Sequence, residues 1–241
     1  MTPLPMTQSR PPQYPVNLEL VDVACLVVGG GPVESRKVAG LLEAGADVTV
    51  VAPQAVGAIA EDPRVRWHQR PYQRGEVASY RLAVTATGLE EVDSQVARDA
   101  RATGVPVNAA DDPDNCSFTL PAIARKGDIQ VTVSTAGRSP ALAAWLRNRI
   151  DAALDDTLLD LLELLSTTRA EMQAAGLATE LPGWRRALDS GVPELVAEGR
   201  LDEARVLLRR QLDLAVGDAD GDNTERAPVG RSNGDLEGAS R

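Results

Sequence analysis

The sequence has very few of the side chains that hold metals or form disulfides. Its 241 residues include only two cysteines and one histidine. A structural zinc site, an iron–sulfur cluster held by this chain alone and a disulfide framework all need more of them, so these classes are excluded. Aromatic residues make up only 3% of the chain. We therefore expect a core of leucine, valine and alanine.

Positive charge and long apolar runs are also scarce. The 25 basic residues face 35 acidic ones, which gives a formal net charge of −10. Such a chain is a poor binder of nucleic acid or of an anionic membrane. No apolar run reaches the length of a membrane span, and the proline-rich stretch 1–15 lacks the apolar segment of a secretory signal. We therefore expect a cytoplasmic protein with no nucleic-acid or membrane partner.

Between residues 16 and 150, short apolar runs alternate with amphipathic stretches. The predicted strands are Val23–Val28, Val48–Val51, Leu82–Thr85, Val105–Asn108 and Gln130–Ser134. The predicted helices are Val33–Ala44, Glu91–Thr103 and Pro140–Asp151. This alternation predicts an α/β fold, a Rossmann-type parallel sheet with helices on both faces.

After residue 154 the pattern becomes helical throughout. Leucines recur at helical spacing from Leu154 to Leu165, and further helices are predicted at Trp184–Ser190 and Leu201–Leu214. The final stretch is acidic and has almost no large apolar residues, which is typical of disorder.

An apolar strand runs directly into three glycines and then into a helix, over residues 25–39 (CLVVGGGPVESRKVA). Glycines let the backbone turn tightly beside a pyrophosphate, and the following helix presents free N–H groups to the anion. Gly29 and Gly31 match the first two glycines of the G-x-G-x-x-G fingerprint, whereas Glu34 stands in the third position. The pattern favours dinucleotide binding, with a tight turn that binds no ligand as the alternative.

The ends of the next two strands are less informative. Many NAD sites place an acid about 20 residues past the glycines, where it holds the ribose. Here Ala52, Pro53 and Gln54 stand at that point. Since no arginine stands there for a 2′-phosphate either, these residues leave NAD and NADP open. The small residues around Thr87 suit a nicotinamide lying against the backbone, or simply a buried strand end.

Three aspartates, Asp111, Asp112 and Asp114, follow the strand predicted at 105–108. Parallel sheets bind ligands at the carboxyl ends of their strands, and a carboxylate there can act as a general base. The same residues also favour a turn. We predict that Asp111 points into the crevice and that Asp112 and Asp114 form the turn.

Three segments together resemble one family. They are residues 28–37 (VGGGPVESRK), residues 107–111 (VNAAD) with 116–125 (CSFTLPAIAR), and residues 133–143 (VSTAGRSPALA). In this order and spacing they are similar to the precorrin-2 dehydrogenase / sirohydrochlorin ferrochelatase family of siroheme synthesis. The resemblance is strong over residues 17–151 and looser beyond them.

The resemblance implies a homodimer in which both chains shape the tetrapyrrole clefts. Together with the patterns above it predicts five regions. These are a flexible lead-in (1–15), an NAD-binding Rossmann domain (16–118), a dimerisation segment (119–152), a helical domain (153–215) and a disordered acidic tail (216–241).

The implied reaction is the NAD-dependent oxidation of precorrin-2 to sirohydrochlorin, followed in some members by insertion of Fe²⁺ at the same site. By this resemblance Asp111 is the general base. The predicted cofactor contacts are Gly29, Gly30, Gly31, Pro32, Val33, Pro53, Gln54 and Thr87. The predicted substrate contacts are Asn108, Ser117, Ser134, Thr135, Gly137, Arg138 and Ser139. No metal ligand is predicted on the protein, because the macrocycle supplies the nitrogen ligands.

Two features of the sequence depart from the family pattern. Gly88 and Leu89 stand where acids often follow Ala-Thr, and Asp93 stands where the next helix often carries an asparagine. Both concern the cofactor pocket rather than the fold. Thr135 stands where some members have a serine.

Other functions stay open beside this one. An NAD-sensing regulatory module without catalysis would share the glycine turn and the sheet, but it has no need of Asp111 or of the loop at 133–140. A dehydrogenase-only member would leave metal insertion to another protein. A short-chain dehydrogenase is disfavoured, because no tyrosine of this chain is followed by a lysine four residues later.

Overall fold

The computed structural model describes residues 12–110 and 112–214. Two compact units divide the chain, Met1–Leu154 and Asp155–Arg241. The predicted tail at 216–241 and most of the predicted lead-in at 1–15 lie outside the described residues. Within the described ranges, no helix combines the length and the apolar character needed to cross a membrane.

Five parallel strands form the sheet of the first unit. They are β1 (Ala24–Val28), β2 (Asp47–Val51), β3 (Val65–His68), β4 (Leu82–Thr85) and β5 (Val107–Ala109). Their order across the sheet is β3-β2-β1-β4-β5. The chain thus builds one half of the sheet outward from β1 and then crosses over to β4. The carboxyl ends of β1 and β4 form the crevice where open sheets of this type bind ligands.

Helices cover both faces of the sheet. They are α1 (Pro32–Glu43), the short α2 (Gly57–Ala60) and α3 (Glu90–Thr103), with 3-10 turns at Glu76–Ser79 and Pro113–Asn115. Because alternate strand residues point to opposite faces, Val27 packs in a core with Val38 of α1, while Leu26 packs in another with Val96 of α3. The predicted Rossmann-type fold is confirmed.

A hairpin and one helix end the first unit. Strands β6 (Ala122–Lys126) and β7 (Ile129–Val133) pair antiparallel in a sheet of their own, and α4 (Pro140–Asp151) packs on them. The strand predicted at Gln130–Ser134 is thus present as β7, but it pairs with β6 and is not part of the parallel sheet. Its partner β6 precedes it and is joined to it by a tight turn, and adjacent strands joined in this way pair antiparallel.

The second unit consists of helices in its described part. These are α5 (Asp156–Ala174), α6 (Gly183–Leu188), α7 (Val192–Ala197) and α8 (Leu201–Gln211). Leu161 of the predicted leucine stripe is buried together with Leu164, Met172 and Leu208, whereas Leu162 of the stripe is 37% exposed. Leu161 and the partly buried Leu165 therefore contribute the stripe's share of this core. Helix α7 was not predicted; it begins around Pro193, which suits the first turn of a helix.

Candidate functional site

The glycine turn joins β1 to α1 at the crevice. Gly29 has φ +110°, a conformation that side chains rarely adopt, and its N–H donates to the carbonyl oxygen of Val51 at 3.0 Å. A Cβ added at Gly30 would overlap the carbonyl oxygen of Gln54. The turn therefore lies directly against the end of β2, and glycine is required at both positions.

A cleft of about 550 Å³ opens between this turn and the ends of β2 and β4. Its volume lies within the usual range for small-molecule sites, roughly 300–1,000 Å³. Six predicted cofactor residues line it: Gly29, Gly30, Gly31, Pro53, Gln54 and Thr87. The other two, Pro32 and Val33, do not line the cleft. They are exposed in the first turn of α1. The glycine turn, the start of α1 and the size of the cleft suit a dinucleotide.

Glu34 lies inside the glycine turn. It is only 2% exposed, and a Cβ added at Gly29 would overlap its carboxylate. Burial raises the pKa of Glu34, and the nearby charge of Asp93 adds to this. The backbone N–H groups of Glu34 and Gly31 and the ammonium of Lys37 act in the opposite direction but do not cancel it. A buried carboxylate therefore occupies the place where the dinucleotide fingerprint has glycine or alanine.

Asp93 ties the end of β4 to α3. Its carboxylate accepts hydrogen bonds from the hydroxyl of Thr85, from the N–H of Thr87 at 3.1 Å and from the hydroxyl of Thr87 at 3.0 Å. The unusual residue at this position thus holds the strand end that lines the cleft, and it also brings a negative charge close to Glu34.

The end of β5 lies beside the end of β4. The N–H of Ala110 donates to the carbonyl oxygen of Thr85 at 2.8 Å. Asp111, the next residue and the predicted base, lies outside the described residues. Asp112 accepts a hydrogen bond from the N–H of Asn115 at 3.3 Å and so caps the 3-10 turn that follows. This matches the turn predicted for Asp112.

Lys37 of α1 reaches the same strand end. Its ammonium donates to the side-chain oxygen of Asn108 at 3.0 Å, and the amide nitrogen of Asn108 donates to the carbonyl oxygen of Phe118 at 3.1 Å. Nearby, the thiol sulfur of Cys116 accepts from the N–H of Ala109 at 3.2 Å, and burial raises the pKa of this thiol. The edge that leads to Asp111 is therefore cross-linked to the helix that begins at the glycine turn.

Two family models match this chain. Residues 16–122 match one described as "Putative NAD(P)-binding", and residues 126–153 match one described as "Sirohaem biosynthesis protein central". The siroheme synthase of Methylococcus capsulatus is 36% identical over 207 residues, which cover 84% of this chain and 44% of that protein. The siroheme synthase of Thioalkalivibrio sulfidiphilus is 36% identical over 208 residues, 84% of this chain and 42% of that protein. The chain thus spans less than half the length of these curated relatives.

A solved structure named SirC, precorrin-2 dehydrogenase, aligns with a TM-score of 0.61 and 25% identity, covering 83% of this chain and 98% of that one. The chain is similar to siroheme synthases and to this precorrin-2 dehydrogenase over at least 83% of its own length. The matched NAD(P)-binding region contains the whole five-stranded sheet and the cleft. A nicotinamide dinucleotide is therefore the cofactor class of this site.

The loop before α4 carries most of the substrate contacts expected for this family. The hydroxyl of Thr135 accepts the N–H of Ser139 at 3.1 Å, and the hydroxyl of Ser139 accepts the N–H of Leu142 at 3.2 Å and so caps α4. The Ser134 hydroxyl accepts the N–H of Ala136 at 3.2 Å. Gly137, at φ +76°, and Arg138 complete the loop. None of the five predicted contacts here lines the cleft at the glycine turn, and their role in this siroheme synthase relative stays a prediction.

The other two predicted substrate contacts hold β5 in place. The side-chain oxygen of Asn108 accepts a hydrogen bond from Lys37, and its side-chain nitrogen donates one to the carbonyl oxygen of Phe118. The hydroxyl of Ser117 accepts the N–H of Val107 at 2.7 Å and donates to the carbonyl oxygen of the same residue at 3.2 Å. Both side chains therefore shape the strand end, and their direct contact with substrate stays a prediction.

Two side chains of the site take positions that the sequence did not predict. The mismatch at the third fingerprint position was visible in the sequence, but it did not show that the Glu34 carboxylate folds back into the turn. The bond of Lys37 to Asn108 was not predicted, because the two residues lie 71 positions apart in the sequence. The only indication in the sequence was that Glu34 and Lys37 lie on the helix that directly follows the glycines.

Proposed function

We propose that this protein oxidises precorrin-2 to sirohydrochlorin, with NAD as the electron acceptor and Asp111 as the general base. The observation that supports it most is the hydrogen bond from Ala110 to Thr85. It holds the residue just before Asp111 at the strand end whose continuation, through Ala86 and Thr87, lines the cofactor cleft. The similarity to siroheme synthases and to a precorrin-2 dehydrogenase adds the substrate class.

The oxidation removes two electrons and two hydrogens from the macrocycle. When bound in the cleft, the nicotinamide takes one hydrogen together with both electrons, and the other hydrogen leaves as a proton. Asp111 accepts that proton. The Lys37–Asn108 bond and the sulfur contact of Cys116 hold the backbone that presents it. No protein-bound metal is needed for this step, because the proton goes to a carboxylate.

The cleft favours NAD over NADP. Among the described residues that line it, none is an arginine or a lysine. A 2′-phosphate would therefore find no cation at the end of β2, where Ala52, Pro53 and Gln54 stand. We accordingly propose NAD as the cofactor.

A homodimer is part of the proposal. In the segment of residues 119–152, the buried apolar residues are the two alanines Ala124 and Ala143. Four large apolar side chains are 40–54% exposed there: Leu120, Ile123, Leu142 and Trp145. A two-stranded sheet with one helix needs more burial than this for stability. A second copy of the chain would cover the exposed face and complete the tetrapyrrole cleft.

The decisive experiment is an anaerobic assay of the purified protein with precorrin-2 and NAD, following NADH formation and the tetrapyrrole spectrum. Asp111→Asn should lower kcat by about 10²–10⁴-fold, the usual contribution of a general base, with unchanged affinity for NAD. The matched control is Asp112→Asn, because asparagine also caps turns; it should retain turnover. NADP should be the poorer acceptor.

Two outcomes would reject parts of this proposal. Turnover that survives in Asp111→Asn would remove Asp111 as the base. Binding of NAD by the wild type without any turnover would favour the NAD-sensing module instead. Adding Fe²⁺ to the product then separates a bifunctional chelatase from a dehydrogenase-only protein, which the residues leave open.

A further inference from the structure

Glu34 occupies the part of the cleft that a dinucleotide needs for its pyrophosphate. The fingerprint brings this group against the glycine turn and the start of the following helix. In this chain the carboxylate of Glu34 lies against Gly29, with one oxygen 3.0 Å from the Cβ position at Gly31. Glu34 is buried, with only 2% of its surface exposed to solvent. The position is thus already filled by an acid.

The groups that face Glu34 make a second negative charge unfavourable. Asp93 of α3 is acidic, and Lys37 of α1 is the one basic group that acts on Glu34 among the described residues. Lys37 is also bonded to Asn108 at the other strand end. The remaining partners are the backbone N–H groups of Gly31 and Glu34, which the carboxylate and a pyrophosphate would both require. A pyrophosphate next to an ionised Glu34 would meet like charge in a buried place, where repulsion is strong.

We propose that Glu34 controls the affinity of the glycine turn for NAD, and that the cofactor binds only when Glu34 carries a proton. A neutral carboxylic acid leaves the turn without a competing charge, and its O–H can donate to a phosphate oxygen. Binding of NAD therefore takes up one proton from solvent whenever Glu34 is ionised in the free protein. The proposal rests on the NAD-binding function proposed above and adds a proton to its first step.

The direction of the pH dependence follows directly. Burial raises the pKa of Glu34 above its ordinary value, so the protonated form persists to higher pH than for an exposed glutamate. Below that pKa the dissociation constant for NAD should be flat. Above it the constant should rise tenfold for each pH unit, because the competent form falls by that factor. Binding weakens as the solution becomes more alkaline.

The first measurement needs no variant. NAD is titrated into the wild-type protein by calorimetry from pH 5 to pH 8.5, each time in two buffers with different heats of ionisation. The difference between the buffers gives the number of protons taken up per NAD bound. We expect it to rise from zero towards one across the pKa of Glu34, while the dissociation constant rises in parallel.

Two variants make the test specific. Glu34→Gln keeps the shape and removes the charge, so its affinity for NAD should be independent of pH, and its advantage over the wild type should grow tenfold for each pH unit above the pKa of Glu34. Glu43→Gln is the control at the far end of the same helix, where the carboxylate is exposed and 3.4 Å from Arg125. It should follow the wild-type profile.

The proposal is overturned by pH-independent binding to the wild type with no proton uptake, because the carboxylate would then move aside in its ionised form. It is equally overturned if Glu34→Gln shares the wild-type pH profile, or if neither protein binds NAD at any pH. All of these readouts concern binding. The precorrin-2 assay tests the oxidation separately, so a protein that binds NAD as expected without turnover would reject the proposed function alone.

Discussion

The five-stranded sheet and the segment of residues 119–152 differ in how completely they bury their apolar side chains. Cys25, Leu26 and Val27 of β1 are 0% exposed, with helices on both faces. In the segment, Leu142 and Trp145 of α4 are 47% and 53% exposed. The sheet therefore closes a core within one chain, whereas the segment leaves large apolar side chains half-exposed.

The largest effect that separates the two regions should come from Leu26→Ala. The side chain is fully buried between the sheet and α3, so its truncation should lower the free energy of unfolding by about 2–5 kcal/mol. Leu142→Ala, on the half-exposed helix, should cost less than about 1 kcal/mol at a protein concentration where the chain is monomeric. Urea unfolding of both variants measures this. Equal costs would show that α4 has a closed core of its own.

Trp145→Asp should act on assembly rather than on folding. The indole is about half exposed, and the guanidinium of Arg149 lies 5.0 Å from the centre of its ring. Burying a charge in place of an aromatic anchor should weaken the dimer by at least about 30-fold, since such anchors contribute about 2 kcal/mol or more. Light scattering after size exclusion should show the mass fall towards 25.5 kDa.

Its control is Leu201→Asp, which places the same charge on a leucine of α8 that is 44% exposed. The mass of this variant should equal that of the wild type. If the wild type is itself monomeric at all concentrations, the proposed interface is wrong.

A smaller effect concerns polar groups, which also differ between the regions. Asp99 of α3 accepts hydrogen bonds from the hydroxyl of Tyr72 at 3.0 Å, the N–H of Gly75 at 2.7 Å and the amide of Gln95 at 2.7 Å. In α4, by contrast, Arg147 Nε is buried and has no hydrogen-bond partner in the described part of the chain. The fully hydrogen-bonded carboxylate of Asp99 thus lies in the region of the five-stranded sheet, whose core is closed.

Asp99→Asn should therefore cost about 1–3 kcal/mol at pH 7. Burial alone would raise the pKa of Asp99, but its three donors outweigh burial and lower it. A lowered folded-state pKa contributes stability that is present above the unfolded value of about 3.9 and is lost as the pH falls through the folded value. The gap between variant and wild type in urea unfolding should thus narrow on acidification below about pH 4. A gap that stays constant would mean that Asp99 adds no charge-dependent stability.

The sequence predicted the closed region well, because apolar runs and glycines mark it directly. Strand β3 (Val65–His68) was missed because it is an edge strand with two exposed residues, Arg66 and His68. Strand β6 was missed because it ends in Arg125 and Lys126 and buries only Ala124. Short edge strands of this kind lack the continuous apolar run of a central parallel strand.

The site was predictable where one local motif determines it. The glycine turn and the end of β2 lie at the cleft as expected, since a strand, a tight turn and a helix follow one another without interruption. Contacts between distant residues were not predictable. The bond between Lys37 and Asn108, which lie 71 residues apart, depends on which strands become neighbours across the β1–β4 crossover.

The bond between Lys37 and Asn108 couples the effects of substitutions at the glycine-turn helix and at the end of β5. Lys37 lies on the helix that starts at the glycine turn, and Asn108 lies three residues before Asp111. A substitution at either position removes this one bond for both side chains, so the second substitution should add little to the loss. The double variant should therefore be about as harmful as either single one, and a double-mutant cycle would measure this coupling.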